Sequence, residues 1–235
     1  MKKLRIITVA LMAIICSTAS AQYYDEYGNW RENSYTRTSS HSYDNEFEEG
    51  WCNFYVEYAP MKLYTTVKGA EDRLYHTGTI GFSYNYPLGD SYASLGLGIE
   101  TSGSWFSERV DGVKTTLSFY NTKVPLNLSF VFPVADGLWI VPYGGISVKY
   151  NIYGEEKTGN HTWKIFTDDY TYDNDYNRFQ FGYQAGLKLV IANCVSIGAS
   201  WKADVTPFCS FYDDYTRKEE KERFKGFSFS LGYCF

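Results

Sequence analysis

The chain has 235 residues, a formal net charge of −5 and an aromatic content of 19%, including 23 tyrosines. A chain that is acidic overall and lacks a run of basic residues is not expected to bind nucleic acid. Beyond the N-terminus no stretch contains even a dozen consecutive apolar residues, which excludes a helical membrane protein and disfavours a helix-rich soluble one.

The N-terminus has the pattern of a secretory signal peptide. Three basic residues precede the largely apolar run from Ile6 to Ile15, which is followed by the small-x-small sequence Ala19-Ser20-Ala21. We therefore predict that residues 1–21 are a cleaved signal peptide, because the run is far shorter than the roughly 20 residues that a spanning helix needs. Cys16 leaves a lipoprotein as the alternative, although the residue before it is not small.

Residues 22–50 are acidic, polar and aromatic without any period, reading QYYDEYGNWRENSYTRTSSHSYDNEFEEG. A segment of this composition cannot bury enough apolar surface to fold alone, so it is predicted to be a disordered periplasmic extension. The alternative is that its tyrosines become ordered by docking on a partner or in the mouth of the domain that follows.

From Trp51 onward, eight segments alternate apolar and polar residues with a period of two, which is typical of strands with one apolar face. The clearest is the last, the sequence KGFSFSLGYCF at residues 225–235. The apolar sets fall, in chain order, within residues 54–58, 80–86, 93–99, 124–130, 138–152, 179–189, 195–205 and 227–235. The opposite faces carry the charges Glu57, Glu100, Lys123, Lys149, Lys188, Lys202 and Asp204.

The links between these strands indicate which face lies outside. The predicted long links at 66–72, 106–114, 154–174 and 212–222 alternate with short ones at 88–90, 135–137 and 192–193. Outer-membrane barrels keep short periplasmic turns and long external loops, whereas a soluble barrel has no reason to sort its links. We therefore predict an all-β fold over residues 51–235. It is an eight-stranded antiparallel up-and-down transmembrane β-barrel in the bacterial outer membrane.

In this barrel the aliphatic face meets lipid, the charges pair inside, and both chain ends lie in the periplasm. Eight strands leave a lumen that side chains fill, so no conducting pore is expected. A soluble lipocalin-like barrel with the two faces exchanged is the alternative. The aromatic residues near strand ends predict interfacial girdles, with ordinary β-propensity as the other explanation. They are Tyr84, Tyr86, Trp105, Trp139, Tyr143, Tyr150 and Tyr153.

Three stretches carry a resemblance to a known family: NTKVPLNLSF at 121–130, GLWIVPYGGISVKYNIYG at 137–154 and FGYQAGLKLVIANCVSIGASWKADVTPF at 181–208. Over residues 51–235 the chain resembles the PorT-like outer-membrane β-barrel proteins of Bacteroidetes. The terminal Phe235 also resembles the C-terminal aromatic signal by which the barrel assembly machinery recognises such proteins. The resemblance implies the fold and the outer membrane. One branch of the family takes part in protein secretion, and no catalytic residues carry over.

Few residues have a pattern that indicates chemistry. His41, His76 and His161 are the histidines, and His161 in the longest external loop has Asp168 and Asp169 nearby in sequence but no companion serine, which disfavours an enzyme. Asp173-x-Asp175-x-Asn177 matches the start of a calcium loop, but an arginine stands where that loop needs glycine. We therefore expect no catalytic, cofactor-binding or metal-binding residues.

Cys194 and Cys234 fall at the same end of neighbouring strands in the predicted register, on the lumen face. In the oxidising periplasm they are candidates for a disulfide, with free packed thiols as the alternative.

The sequence leaves three functions open. The first is a non-enzymatic envelope protein whose external loops act in surface interaction or envelope structure, in contact with outer-membrane lipid and lipopolysaccharide. The second is an accessory component of a secretion or outer-membrane assembly complex, in which residues 22–50 contact a periplasmic protein. The third and least favoured is a lipid A-modifying enzyme. A monomeric barrel is expected in each case.

Overall fold

The computed structural model describes residues 50–66, 73–88, 92–110, 112–135, 137–166, 174–213 and 218–235. The predicted signal peptide and the predicted extension up to residue 49 lie outside these residues. The described residues contain no helix with the length and apolarity to cross a membrane. They form twelve strands: β1 (Trp51–Thr65), β2 (Arg73–Pro87), β3 (Ala93–Val110), β4 (Val113–Phe130), β5 (Phe132–Ala135), β6 (Leu138–Thr158), β7 (His161–Lys164), β8 (Asn174–Tyr176), β9 (Phe179–Ile191), β10 (Val195–Asp204), β11 (Cys209–Asp213) and β12 (Lys218–Cys234).

Eight of these strands close into a barrel in the order β1, β2, β3, β4, β6, β9, β10 and β12, and β12 pairs back with β1. All of the pairings are antiparallel. At the β1–β12 seam Phe54 lies opposite Tyr233, and the amide of Phe235 donates to the carbonyl of Cys52 at 3.0 Å. Closure leaves no open sheet edge where there is no water to satisfy it. The predicted fold class is confirmed.

The two faces of the barrel wall differ as the alternation predicts. Leu97, Phe227 and Phe229 point outward and remain more than half exposed, at 57%, 58% and 57%. Inward-facing polar side chains are buried instead, and both Asn151 and Gln180 are fully inaccessible. A soluble protein rarely exposes an apolar surface of this extent, because exposed apolar area costs free energy in water. The aliphatic face is therefore the lipid-facing one.

The barrel has two different ends. We call the end that carries Trp51 and Phe235 the terminal rim and the opposite end the distal rim. The terminal rim contains the tight turn at Ala192 and Asn193, whose φ angles are +51° and +58°. Positive φ at both central residues is the geometry of a type I′ turn, and the amide of Cys194 closes this turn by donating to the carbonyl of Ile191 at 3.2 Å. The short link predicted at 192–193 is confirmed.

One predicted long link is wrong. Residues 106–110 and 113–114 continue β3 and β4, with Arg109 opposite Lys114 and Val110 opposite Val113. The error arose because both faces of this hairpin are polar, so the alternation that marks a half-buried strand stops while the backbone pairing goes on. β-structure also continues on β6 and β7, where Thr158 lies opposite His161.

These segments form what we call the distal extension. It comprises β3 and β4 beyond Phe106 and Leu117, β6 and β7 beyond Tyr153, and strands β8 and β11. The predicted long links at 66–72, 154–174 and 212–222 lie partly outside the described residues, and so do the short ones at 88–90 and 135–137.

Two of the predicted girdle aromatics face inward. Trp139 packs against a buried cluster at the terminal rim and donates its indole N–H to Asn193 at 2.8 Å. Tyr143 lies under the ammonium of Lys188, 5.0 Å from its ring centre. In this part of β6 the even-numbered side chains face outward and the odd-numbered ones face the lumen. Trp139 and Tyr143 have odd numbers, which the girdle prediction overlooked.

The candidate disulfide pair, Cys194 and Cys234, is not joined in the structure. The four cysteines of the described residues, Cys52, Cys194, Cys209 and Cys234, are not joined by disulfides. The amide of Cys234 donates to the carbonyl of Cys194 at 2.6 Å, so the two backbones do lie side by side. Their sulfur atoms have different partners, because Cys234 Sγ faces Asn53 at 3.6 Å and Cys194 Sγ faces the carbonyl of Ile191 at 3.9 Å.

Candidate functional site in the lumen and at the distal mouth

A buried network of ion pairs fills the middle of the lumen. Lys202 Nζ lies 2.5 Å and 2.7 Å from the two carboxylate oxygens of Glu57 and 3.8 Å from Glu100. Lys123 approaches Glu100 at 2.6 Å, and the hydroxyl of Tyr55 donates to the same carboxylate at 2.7 Å. Each buried charge thus has an opposite charge, which burial of a charge requires, and Glu57 also accepts a hydrogen bond from the hydroxyl of Ser228 at 3.1 Å.

A second ion pair lies nearer the distal rim. Lys149 Nζ contacts Asp204 at 2.5 Å. Gln180 donates to the same carboxylate at 3.3 Å and accepts from Asn151 at 3.0 Å. These contacts join β6, β9 and β10 across the lumen. Together with the first network, they confirm the prediction that the charged faces meet inside the barrel.

Lys188 is held in a different way from the other lumen lysines. Its ammonium lies 5.5 Å from the ring centre of Tyr55 and 5.0 Å from that of Tyr143. Cation–π contacts of this kind stabilise a desolvated ammonium.

The space left inside the barrel is small. A cavity of about 60 Å³ lies among the ion pairs, lined by Glu57, Lys149, Lys202 and Asp204 with several serines and threonines. A second, of about 20 Å³, lies beside Lys188 toward the terminal rim. Sites for small-molecule ligands are usually about 300–1,000 Å³, so these cavities suit only a few water molecules.

An apolar lid closes the distal mouth above the ion pairs. Its centre is Phe208, which is fully buried, with ring-centre distances of 4.9 Å to Phe119, 5.0 Å to Phe224 and 5.4 Å to Tyr176. Tyr75 extends the lid at 5.1 Å from Phe224. Aromatic pairs in these geometries stabilise by about 0.5–1.5 kcal/mol beyond the area that they bury.

Backbone hydrogen bonds of Phe208 to Asn177 and to Glu222 position the lid. The amide of Asn177 donates to the carbonyl of Phe208 at 2.9 Å, and the amide of Phe208 donates to Glu222 at 2.7 Å. Ile165 enters the lid over Gly154, where a Cβ would lie only 2.6 Å from the isoleucine side chain. Glycine at this position therefore makes room for the lid. Sequence reasoning missed these residues, because several of them fall in segments predicted to be loops.

The terminal rim is closed by a second apolar cluster. It consists of Trp51, Val131, Val141, Val190 and Cys234, with Trp139 packed against it. Apolar side chains thus cover the ion pairs from both ends. The lumen is filled, as expected for a barrel of eight strands.

The described histidines make structural contacts. His76 Nδ1 lies 2.6 Å from the hydroxyl of Tyr58, and its ring stacks 6.0 Å from Trp105 on the outer face of the wall. His161 stacks on Trp163 at 5.7 Å. His41 lies outside the described residues. In the part of the chain that the structure describes, no group of three or more His, Cys, Asp or Glu side chains is placed to hold a metal ion.

The partial match to a calcium loop at residues 173–177 lies partly outside the described residues. Asp173 lies outside the described residues. Asn177 donates its side-chain amide to the carbonyl of Pro207 at 3.1 Å, which helps to fix the turn beneath the lid.

A family model for the outer membrane protein beta-barrel domain matches residues 7–235. The chain belongs to this family. It is therefore a protein of the bacterial outer membrane, as the sequence predicts. The family model does not distinguish the PorT-like proteins of Bacteroidetes from other outer-membrane barrels. The resemblance to that narrower group therefore stays a prediction. A search of curated proteins finds no match.

Solved structures that are similar to this outer-membrane barrel share little sequence with it. Neisserial surface protein A is 11% identical, with a TM-score of 0.50 over 78% of this chain and 96% of that one. The attachment invasion locus protein Ail of Yersinia pestis, solved with the heparin analogue sucrose octasulfate, is 12% identical, with a TM-score of 0.45 over 80% and 99%. The outer membrane protease OmpT of Escherichia coli is 9% identical, with a TM-score of 0.38 over 80% and 97%. At these identities the likeness is one of fold alone.

Proposed function

We propose that this protein is a non-enzymatic outer-membrane barrel that acts through its distal extension, in surface interaction or in envelope structure. The distal rim then faces the cell exterior and the terminal rim faces the periplasm. The observation that carries the proposal is the length of the paired strands beyond the span that a membrane requires.

Strands β3 and β4 have 18 residues each and β6 has 21. A tilted membrane-spanning strand needs only about 9–11 residues. The excess carries outward polar side chains, among them Arg109 and Lys114, which hydrocarbon does not accommodate. The distal extension is therefore a paired β-surface above the membrane, with more order than simple connecting loops have.

The lumen gives little support to a transport or catalytic role. Its ion pairs are covered at both ends, and the cavity among them is about 60 Å³. Among the described residues, His76 stacks on Trp105 and His161 stacks on Trp163. These observations favour a surface role over an enzyme.

Trimming one hairpin tests the proposal without disturbing the barrel. In the trimmed variant Asn-Gly replaces residues 107–116, so that the directly opposed Phe106 and Leu117 flank a two-residue turn. The wild-type protein, tagged and purified in mild detergent from its native envelope, is expected to retain a bound protein or polysaccharide. The trimmed variant is expected to lose about nine-tenths of that material, because hot-spot contacts dominate binding. Heat-modifiable migration in gels checks that the variant folds.

Other outcomes favour the other functions. Equal retention by the trimmed variant would contradict the role of the distal extension. Loss of the bound protein only after deletion of residues 22–50 would favour an accessory subunit of a secretion or assembly complex. Altered lipid A masses in a strain that lacks the protein would favour an enzyme.

A further inference from the structure

Basic side chains meet on the outer face of the β1–β12 seam near the distal rim. Lys62 of β1 lies directly opposite Lys225 of β12, and Tyr64 lies directly opposite Arg223. The alternation of β1 and β12 points all four side chains outward, with Lys62 and Arg223 exposed. We call Lys62, Arg223 and Lys225 the seam cluster.

The seam cluster is costly in the absence of an anion. Like charges directly opposite each other across two strands are destabilising. Neighbouring outward positions are about 6.6–6.8 Å apart along a strand and diagonal ones about 7–8 Å, so all three cations are within reach of one another. The ammonium of Lys225 rests on an aromatic ring, with Nζ 3.5 Å from the ring centre of Tyr64.

The depth of the seam cluster matches the edge of the membrane. From Phe235 to Lys225 the strand rises about 34 Å, and a tilt of about 40° reduces this to about 26 Å along the barrel axis. The apolar band of such barrels is about 25 Å tall. The residues just below the cluster are apolar, with Trp201 and Phe227 in contact at 4.9 Å between ring centres. The cations therefore lie at the headgroup level.

The two rims differ in their outward charge. Among the described residues, the outward side chains around the terminal rim are uncharged, and the outward basic residues lie toward the distal rim. A general need for solubility at a membrane surface would place charges at both rims. A partner specific to the leaflet at the distal rim explains the asymmetry.

We propose that Lys62, Arg223 and Lys225 bind the phosphate group of a phosphorylated glycolipid in the outer leaflet. The guanidinium of Arg223 pairs with two phosphate oxygens, and the two lysines neutralise the remaining charge. Lys225 leaves the Tyr64 ring to do so, and the acyl chains lie on Phe227 and Trp201. The outer-leaflet assignment rests on the orientation given under the proposed function, whereas the anion site rests on the seam geometry alone.

Native mass spectrometry of the full-length protein in detergent tests this site. The probes are lipid A that carries its phosphates, the same lipid A after their removal, and inorganic phosphate. The triple variant Lys62→Gln, Arg223→Gln, Lys225→Gln is expected to retain at least about tenfold less phosphorylated lipid A than the wild type, because several charge-assisted contacts are lost. Dephosphorylated lipid A is expected to bind the wild type as weakly as the intact lipid binds this variant.

The matched control is Arg109→Gln with Lys114→Gln, an outward basic pair directly opposed on the distal extension. This control is expected to retain the lipid within about twofold of the wild type, since its charges lie above the headgroup level. Equal loss in the control, or equal binding of the dephosphorylated lipid, would overturn the proposal. Displacement of the lipid by equimolar inorganic phosphate would assign the cluster to free phosphate instead.

Two further variants keep the result interpretable. Arg223→Gln alone replaces the triple variant if the latter does not refold, with an expected loss of about threefold or more. Unchanged lipid retention by a folded Arg223→Gln protein would also count against the site. The trimmed variant keeps the whole seam cluster and is expected to bind lipid A normally. Failure of the surface role and failure of the lipid site are thus separate outcomes.

Discussion

Replacing Lys202 with methionine is expected to lower the free energy of unfolding by about 3–5 kcal/mol. The substitution leaves Glu57 buried without its ammonium partner, which lies at 2.5 Å and 2.7 Å in the native barrel. It also removes the longer contact to Glu100, which keeps Lys123. Urea unfolding of the refolded protein in lipid vesicles, followed by tryptophan fluorescence, measures the loss.

Two comparisons isolate the buried charge as the cause. Lys157→Met removes an exposed ion pair with Glu155, 2.9 Å long, and is expected to cost less than about 1 kcal/mol. The double variant Glu57→Gln, Lys202→Met removes the unpaired carboxylate and is expected to recover part of the stability. A Lys202→Met protein no less stable than Lys157→Met would contradict the network's role.

Replacing Phe208 with alanine is expected to cost about 3–5 kcal/mol, because this ring is the centre of the distal lid and is fully buried. The cavity would lie between Phe119 and Phe224, whose rings are 4.9 Å and 5.0 Å away. The same urea titration measures the change. Because the terminal rim is closed separately, no ion conductance is expected in planar bilayers even without the lid.

The control for the lid is Tyr212→Ala, which removes an exposed ring from the neighbouring strand β11. Its expected cost is within about 0.5 kcal/mol, as for surface substitutions generally. A Phe208→Ala protein of unchanged stability would show that the lid is not packed as described. Stable conductance in this variant would show that the terminal cluster does not close the lumen.

Much of the barrel was predictable because its wall repeats one simple rule. Along β12, Phe227, Phe229 and Leu231 alternate with small residues, and every one of them faces outward as predicted. The same rule placed all seven lumen charges on the inner face. Lys123 and Glu100 lie directly opposite each other on β4 and β3. Their contact can be predicted from the alternation once the register of these two strands is known.

The contacts across the lumen were not predictable in this way. Lys202 on β10 reaches Glu57 on β1 past the intervening β12, and Lys149 on β6 reaches Asp204 on β10 past β9. These partners depend on barrel curvature and on the stagger of the strands, which a one-dimensional pattern does not contain. The sequence therefore indicated that the charges pair but not which ones.

The lid was missed for a related reason. Phe119 and Phe224 occupy inward positions, where alternation lower in the barrel places polar residues, and Phe208 follows a turn. Their apolar character is explained only when strands and turns that are far apart in sequence converge at one mouth. The β3–β4 hairpin was missed because its polar faces remove the very signal that identifies a strand.

Labelling of single cysteines on intact cells tests the central claim most directly. One protein retains Cys194 at the terminal rim and has serine at Cys52, Cys209 and Cys234. The other has serine at all four positions and carries Asn160→Cys, between β6 and β7 of the distal extension. A membrane-impermeant maleimide is expected to label position 160 in intact cells and Cys194 only after the outer membrane is permeabilised. Labelling of Cys194 but not of position 160 in intact cells would contradict an exposed distal extension.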